Sequence, residues 1–132
     1  MYSMMQVCRE TGMTYQTLKF YCNEGLIPHV KRDRNNRRIF DDNDLQWIKN
    51  CICLKKCNMS IQEMKEYLQL CLEGESTIPQ RKEMLAQKRE ALVAAIEELN
   101  NSVAFIDWKQ EFYDDVLAGR RPYVSNLIRN KE

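Results

Sequence analysis

The chain has 132 residues, 44% of them hydrophobic and 30% charged, with a formal net charge of +1, which leaves room for one compact unit or a small domain followed by one long helix. No apolar run of about 18 residues is present to span a membrane, and the start MYSMMQVCRE lacks the basic-then-apolar order of a secretory signal, so a cytoplasmic chain with no membrane partner is expected. Six cysteines in a reducing compartment do not build a disulfide framework, and their positions (8, 22, 51, 53, 57 and 71) fit no zinc ribbon or finger, so no metal and no other cofactor is expected.

The small net charge conceals an asymmetry. Residues 1–57 hold ten Lys/Arg against six Asp/Glu, and residues 58–132 ten against thirteen. A basic front half suggests a nucleic-acid module joined to something else. Along the chain, Ser3-Met4-Met5-Gln6 is a capping box, with Tyr2 and Val7 placed for a hydrophobic staple, and predicts a first helix from about Met4 to Glu10. Gly12 stops it by supplying a left-handed residue. Thr14 caps a second helix that ends near Glu24, before Gly25. Two short helices joined by a tight Gly-containing turn form a helix-turn-helix, with Met4, Val7, Cys8, Met13, Leu18 and Leu26 as its small core. The second helix buries Leu18 and leaves Tyr15, Gln16, Thr17 and Lys19 facing out. Such a surface suits a DNA major groove, where polar edges read bases and a cation meets phosphate.

Ile27-Pro28 breaks the helical pattern. From His29 to Phe40 the cations Lys31, Arg32, Arg34, Arg37 and Arg38 surround Asn35-Asn36. Asparagine tolerates the positive φ of a hairpin turn, so the segment reads as a basic β-hairpin, or wing, with a solvated loop as the plainer alternative. Asp41 caps the next helix, which carries Leu45, Trp47, Ile48, Ile52 and Leu54 to about Lys56. Asn58 interrupts. Ser60 to Glu63 is a second capping box, with Met59 and Met64 as the staple. That helix uses Ile61, Met64, Leu68 and Leu72 and ends at Gly74. Thr77 to Gln80 makes a third cap signal, with Pro79 tolerated in the first turn.

The last helix is long. Ile78, Leu85, Leu92, Leu99, Ile106 and Tyr113 recur every seven residues, and Ile96 and Val103 fill the interleaved positions. This is the seam of a two-stranded coiled coil, weakened in its first heptads by Lys82 and Arg89. One helix cannot bury such a stripe against itself. A second copy of the chain is the economical partner, with Leu85, Leu92, Ile96, Leu99, Val103 and Ile106 as the dimerisation residues; the alternative folds the helix back on residues 1–72. The expected organisation is a DNA-binding domain at 1–75, a dimerisation helix at 76–116 and a short tail at 117–132. The tail breaks at Gly119 to Pro122 and carries a small apolar patch (Tyr123, Val124, Leu127, Ile128), too short for an independent ligand domain.

Residues 4–45 resemble the N-terminal domain of the MerR family of bacterial transcription regulators. Lys19-Phe20-Tyr21 stands at the aromatic-rich stretch of that family, followed by Gly25-Leu26, the wing residues Arg37-Arg38-Ile39-Phe40, and Asp44-Leu45 after the acidic cap. The order of later helices extends the resemblance over about residues 2–115. It implies a mainly α fold, a winged helix-turn-helix with a short β-hairpin wing, followed by a long dimerisation helix forming an antiparallel coiled coil. It also implies a homodimer on a pseudo-palindromic promoter in double-stranded DNA, which bends and untwists an over-long spacer so that RNA polymerase can engage both elements. Tyr15, Gln16 and Lys19 would face the major groove, with Gln16 able to contact adenine in bidentate fashion. Tyr21 and Arg38 match positions that hold phosphates, and Arg34 and Arg37 would add wing contacts. The chain departs from the family pattern in Lys19 for arginine, Phe20 for tyrosine and Asn36 for glycine.

A signal is harder to read. Metal-sensing relatives carry a cysteine pair after the dimer helix, and this chain has no cysteine beyond Cys71 and a single histidine, His29. Drug-sensing relatives carry a large C-terminal domain. There remain Cys51, Cys53 and Cys57 near the joint with the dimer helix, and some small non-metal members respond to aldehydes or other thiol-reactive compounds through a cysteine in this region. Cys53 is one helical turn from Lys49 and Lys56, cations of the kind that activate a thiol. The plainer reading makes these cysteines small buried hydrophobes. A cysteine–His29 nucleophile pair lacks an orienting motif, so no enzyme is expected. The rival to a regulator is an architectural, excisionase-like winged-helix protein that binds DNA without an inducer.

Overall fold

The computed structural model describes residues 1–128. Its elements run β1 (Tyr2–Ser3), α1 (Met4–Thr11), α2 (Tyr15–Asn23), β2 (Lys31–Arg32), β3 (Arg38–Phe40), α3 (Asp42–Lys56), α4 (Ile61–Glu73), a single 3-10 turn (Glu75–Thr77) and α5 (Ile78–Leu117). The helices start where the sequence places their caps. Ser3, Asp41 and Ser60 each form a full capping box with Gln6, Asp44 and Glu63, satisfying amides that would otherwise lack partners. Thr14 Oγ1 accepts from the Thr17 amide at 3.1 Å, and Gly12 ends α1 at φ 77°, where a side chain would be strained.

The wing is a hairpin of β2 and β3, with Lys31 opposite Ile39 and Arg32 opposite Arg38. β3 also pairs with β1, Tyr2 facing Phe40, so the sheet has three strands in the order β1-β3-β2. That third strand ties the chain's first residues to the wing, and the Tyr2 hydroxyl adds a 2.8 Å hydrogen bond to Asp42.

The chain divides into two compact units, Met1–Leu92 and Val93–Glu132. In the first, Val7, Leu18, Leu26, Phe40, Ile48, Met59 and Met64 are buried in one cluster. Cys8 and Met13, expected inside, lie half-buried at its edge, while Tyr21, Ile27 and Phe40 join it. Trp47 sits at the rim and donates from Nε1 to the Leu26 carbonyl at 2.7 Å. The first turns of α5 belong to this unit because two cations hold them. Lys88 Nζ lies 2.7 Å from the Glu63 carboxylate, and Arg81 donates from Nη2 to the Gly74 carbonyl at 2.5 Å. α4 has no basic residue in its own last turn, so Arg81 supplies the cation that a helix C-terminus favours. Thr77 does not act as the expected N-cap. Its hydroxyl turns back to the Leu70 and Gly74 carbonyls, because the 3-10 turn lays it against the end of α4.

In the second unit α5 continues to Leu117, and Trp108 stacks on Phe112 with centroids 5.9 Å apart. Arg121 lies over the Phe112 ring at 5.5 Å and Arg120 bonds Asp115 at 3.0 Å, folding the start of the tail onto the helix end. No residue of α5 is buried. Among the described residues no helix is long and apolar enough to cross a membrane.

Candidate nucleic-acid interface

α2 sorts its residues by helical spacing. Leu18 and Tyr21, three apart, face the core at 0% and 5% exposure. Tyr15, Gln16, Thr17 and Lys19 lie on the exposed side, where polar and cationic ends can meet base edges and phosphates, although the Thr17 hydroxyl already accepts from the Thr14 hydroxyl at 2.9 Å. Tyr21, expected at a phosphate, has its ring in the core, and burial raises its hydroxyl pKa. Phe20 is 45% exposed, a large apolar ring on the outer surface.

The wing presents cations around a rigid tip. The Asp33 carboxylate accepts from the amides of Asn35 at 2.9 Å and Arg37 at 3.0 Å, and Asn36 takes φ 61°, the conformation that glycine adopts most freely. Arg32 Nη1 donates to the Asn36 carbonyl at 2.9 Å, spending its guanidinium on the turn. Arg34 and Arg37 are left exposed. Arg38 Nη2 bonds Asn23 Oδ1 at 2.6 Å, linking the wing to the last residue of α2. A groove of about 480 Å³ lies beside the wing, lined by Arg37, Arg38 and other wing residues, by Ser3 to Met5 at the start of α1, and by Tyr15, the first residue of α2. It sets that end of α2 next to the wing cations.

Sequence reading passed over Asp33 and Asn23, and counted Arg32 only as one of the wing cations. Asp33 was findable, since Asp two residues before Asn35 is the pattern of an Asx-turn. Asn23 meets Arg38 across fifteen residues, and no local pattern announces that pair. Of the thiols, Cys53 is exposed, Cys57 half-buried and Cys51 buried, with burial pushing the Cys51 thiol to about 12. Among the described residues no three His, Cys, Asp or Glu side chains gather into a set that could hold a metal ion.

This two-part cationic surface coincides with a known pattern. Residues 2–71 match the MerR HTH family regulatory protein. An uncharacterized HTH-type transcriptional regulator of Haemophilus influenzae is 32% identical over 117 residues, covering 89% of this chain and 87% of its own. The chain belongs to the MerR family.

It is a DNA-binding transcriptional regulator of that family, whose members are not enzymes. The regulator AdhR of Bacillus subtilis is 39% identical over 88 residues, 67% of this chain and 63% of AdhR. The crystal structure of HiNmlR, a MerR family regulator lacking the sensor domain and bound to promoter DNA, matches with a TM-score of 0.74 at 32% identity, over 89% of this chain and 93% of HiNmlR. The mainly helical architecture described above, with its small wing and long C-terminal helix, is thus matched in overall fold by HiNmlR.

Proposed function

We propose that this MerR-family regulator binds a pseudo-palindromic promoter site as a homodimer and controls transcription by bending and untwisting the spacer for RNA polymerase. The observation that carries the dimer is the open stripe on α5. Ile96, Leu99, Val103 and Ile106 are 57%, 67%, 55% and 56% exposed, and with Leu85 and Leu92 they form a seam that water disfavours until a second helix covers it. The antiparallel pairing puts one recognition helix and one wing at each half-site. In this reading Tyr15, Gln16, Thr17 and Lys19 enter the major groove, Arg34 and Arg37 hold phosphates from the wing, and Arg38 and the hydroxyl edge of Tyr21 contact backbone next to them. Cys53, exposed on α3, is the thiol that receives the signal.

A promoter series with spacers lengthened base pair by base pair tests the mechanism. The dimer should bend its fragment in a circular-permutation gel and activate only the over-long spacer. Binding to straight DNA with activation indifferent to spacer length would overturn the proposal in favour of an architectural binder. Cys53→Ser should abolish induction by a thiol-reactive compound while leaving operator binding intact; induction that persists removes Cys53 from the role.

A further inference from the structure

We propose that Phe20 is a further specificity-determining residue, which reads thymine through its 5-methyl group in the major groove. The inference rests on the placement of α2 in that groove proposed above. It concerns a side chain of the reading face that can neither hydrogen-bond a base nor meet a phosphate. With about 3.6 residues per turn, Gln16, Phe20 and Asn23 fall on one line of α2, opposite Leu18 and Tyr21. All three are exposed, while Leu18 and Tyr21 are buried, so Phe20 is as outward a position as Gln16. The Asn23 side-chain oxygen accepts from Arg38 at 2.6 Å, which brings the wing to the far end of this line. Phe20 is not among the apolar side chains packed against the core. Its ring stands 6.4 Å from that of Tyr21, tilted by 55°, within the range of an aromatic pair. A buried residue thus braces the ring from one side, and the rest of it is open.

A phenyl ring brings no donor, acceptor or charge to DNA. Base edges in the major groove carry donors and acceptors, and the thymine C5-methyl is the apolar group among them. Against that methyl, contact with the ring removes apolar surface of both partners from water. Against the polar edge of another base, the ring strips water and offers no bond in return. Phe20 therefore selects as much by what it penalises as by what it attracts. The family pattern has tyrosine here, and the phenylalanine of this chain keeps the ring and drops the hydroxyl, which leaves the apolar contact as its means of reading. Phe20 follows Gln16 by four residues, which is about 6 Å along the helix axis, against a base-pair rise of about 3.4 Å. The thymine accordingly lies one or two base pairs from the base that Gln16 contacts.

The probe is a duplex that the full chain selects from random-sequence DNA, with each thymine in turn replaced by deoxyuridine, which pairs alike and lacks only the 5-methyl group. Affinity read by fluorescence anisotropy should fall about fourfold at the thymine that Phe20 reads, the worth of one buried methyl group. Phe20→Ala, whose side chain ends at Cβ, should bind the thymine and uracil forms of that duplex alike, and Phe20→Leu, still apolar, should keep part of the preference. Because the ring lies outside the core, Phe20→Ala should melt with the parent, which separates lost reading from a lost fold. A parent that binds every uracil duplex as it binds the thymine one, or Phe20→Ala that still prefers the methyl group at that position, overturns the inference. Gln16→Ala on the same duplexes locates a failure. If it loses the selected site while uracil and thymine are read alike, the role of Phe20 falls alone; if it loses nothing on the selected site, the placement of α2 falls and the role of Phe20 with it.

Discussion

At the scale of single residues, the two halves of the DNA surface have different work to do and different signatures when removed. Gln16 offers paired amide groups to a base edge, so Gln16→Ala should cost about 1–3 kcal/mol on the preferred site and much less on scrambled DNA. Arg37 offers only charge. Arg37→Ala should weaken binding to all sequences alike and lower the slope of log affinity against log salt by about 0.9. Fluorescence anisotropy across a salt series separates the two, and a salt slope unchanged in Arg37→Ala removes that arginine from the phosphates. Asn36 makes a third case. Its φ of 61° costs a residue with a branched or plain Cβ about 1–2 kcal/mol, so Asn36→Ala should lower the melting temperature and Asn36→Gly should not; equal melts would show that the turn does not depend on this backbone conformation. Much at this scale was readable. Tyr15, Gln16 and Lys19 face outward because Leu18 fixes which side of α2 is inside. The same spacing turns the ring of Tyr21 inward, three residues after Leu18, which leaves only its hydroxyl edge for the phosphate contact that the family resemblance implies. Arg38 bonded to Asn23 could not be read, since neither residue's neighbours record the fold that brings them together.

At the scale of elements, capping was the most legible feature, because a cap is a contact between residues three apart and is written wholly in local sequence. β1 was missed for the converse reason. Two residues have no alternation to detect, and its pairing with β3 spans 38 positions, from Tyr2 to Phe40. Thr77 fails as a cap because a tertiary neighbour, the end of α4, competes for its hydroxyl. The attachment of α5 to α4 gives a pH prediction. Lys88 bonds both oxygens of Glu63, at 2.8 Å and 2.7 Å, and this bond, more than the Ser60 amide that also donates to it, holds the Glu63 carboxyl at about 2 against its ordinary 4.5. A carboxyl whose pKa falls on folding contributes stability that is fully present above the ordinary value and is lost as pH drops toward the folded one. Thermal melts should therefore fall between pH 4.5 and about 2, and Glu63→Gln should flatten that part of the profile. Parallel profiles for the parent and the variant would place the acid sensitivity elsewhere, for instance at Asp41, whose carboxyl the Asp44 amide also holds low.

At the scale of the whole molecule, one chain leaves its largest apolar feature uncovered. The heptad residues of α5 are exposed, Leu92 alone being half-buried, along a helix of 40 residues with none of them buried, a pattern the sequence displayed in full because a seven-residue repeat needs no tertiary context. Leu92→Asp with Leu99→Asp places charge in the centre of that seam, and the doubly substituted chain should run as a monomer in sedimentation equilibrium while its far-ultraviolet spectrum retains the helices of residues 1–73. Its effect on DNA should be larger than the loss of a contact. Two linked reading heads bind with the second event made intramolecular, which raises avidity by about 10²–10⁴ over one head alone, and the uncoupled monomers should lose a factor of that order on the full palindrome and little on an isolated half-site. A variant that becomes monomeric yet keeps full affinity for the palindrome would mean that one chain suffices to grip the operator, and the symmetric mechanism of bending from two half-sites would fall with it.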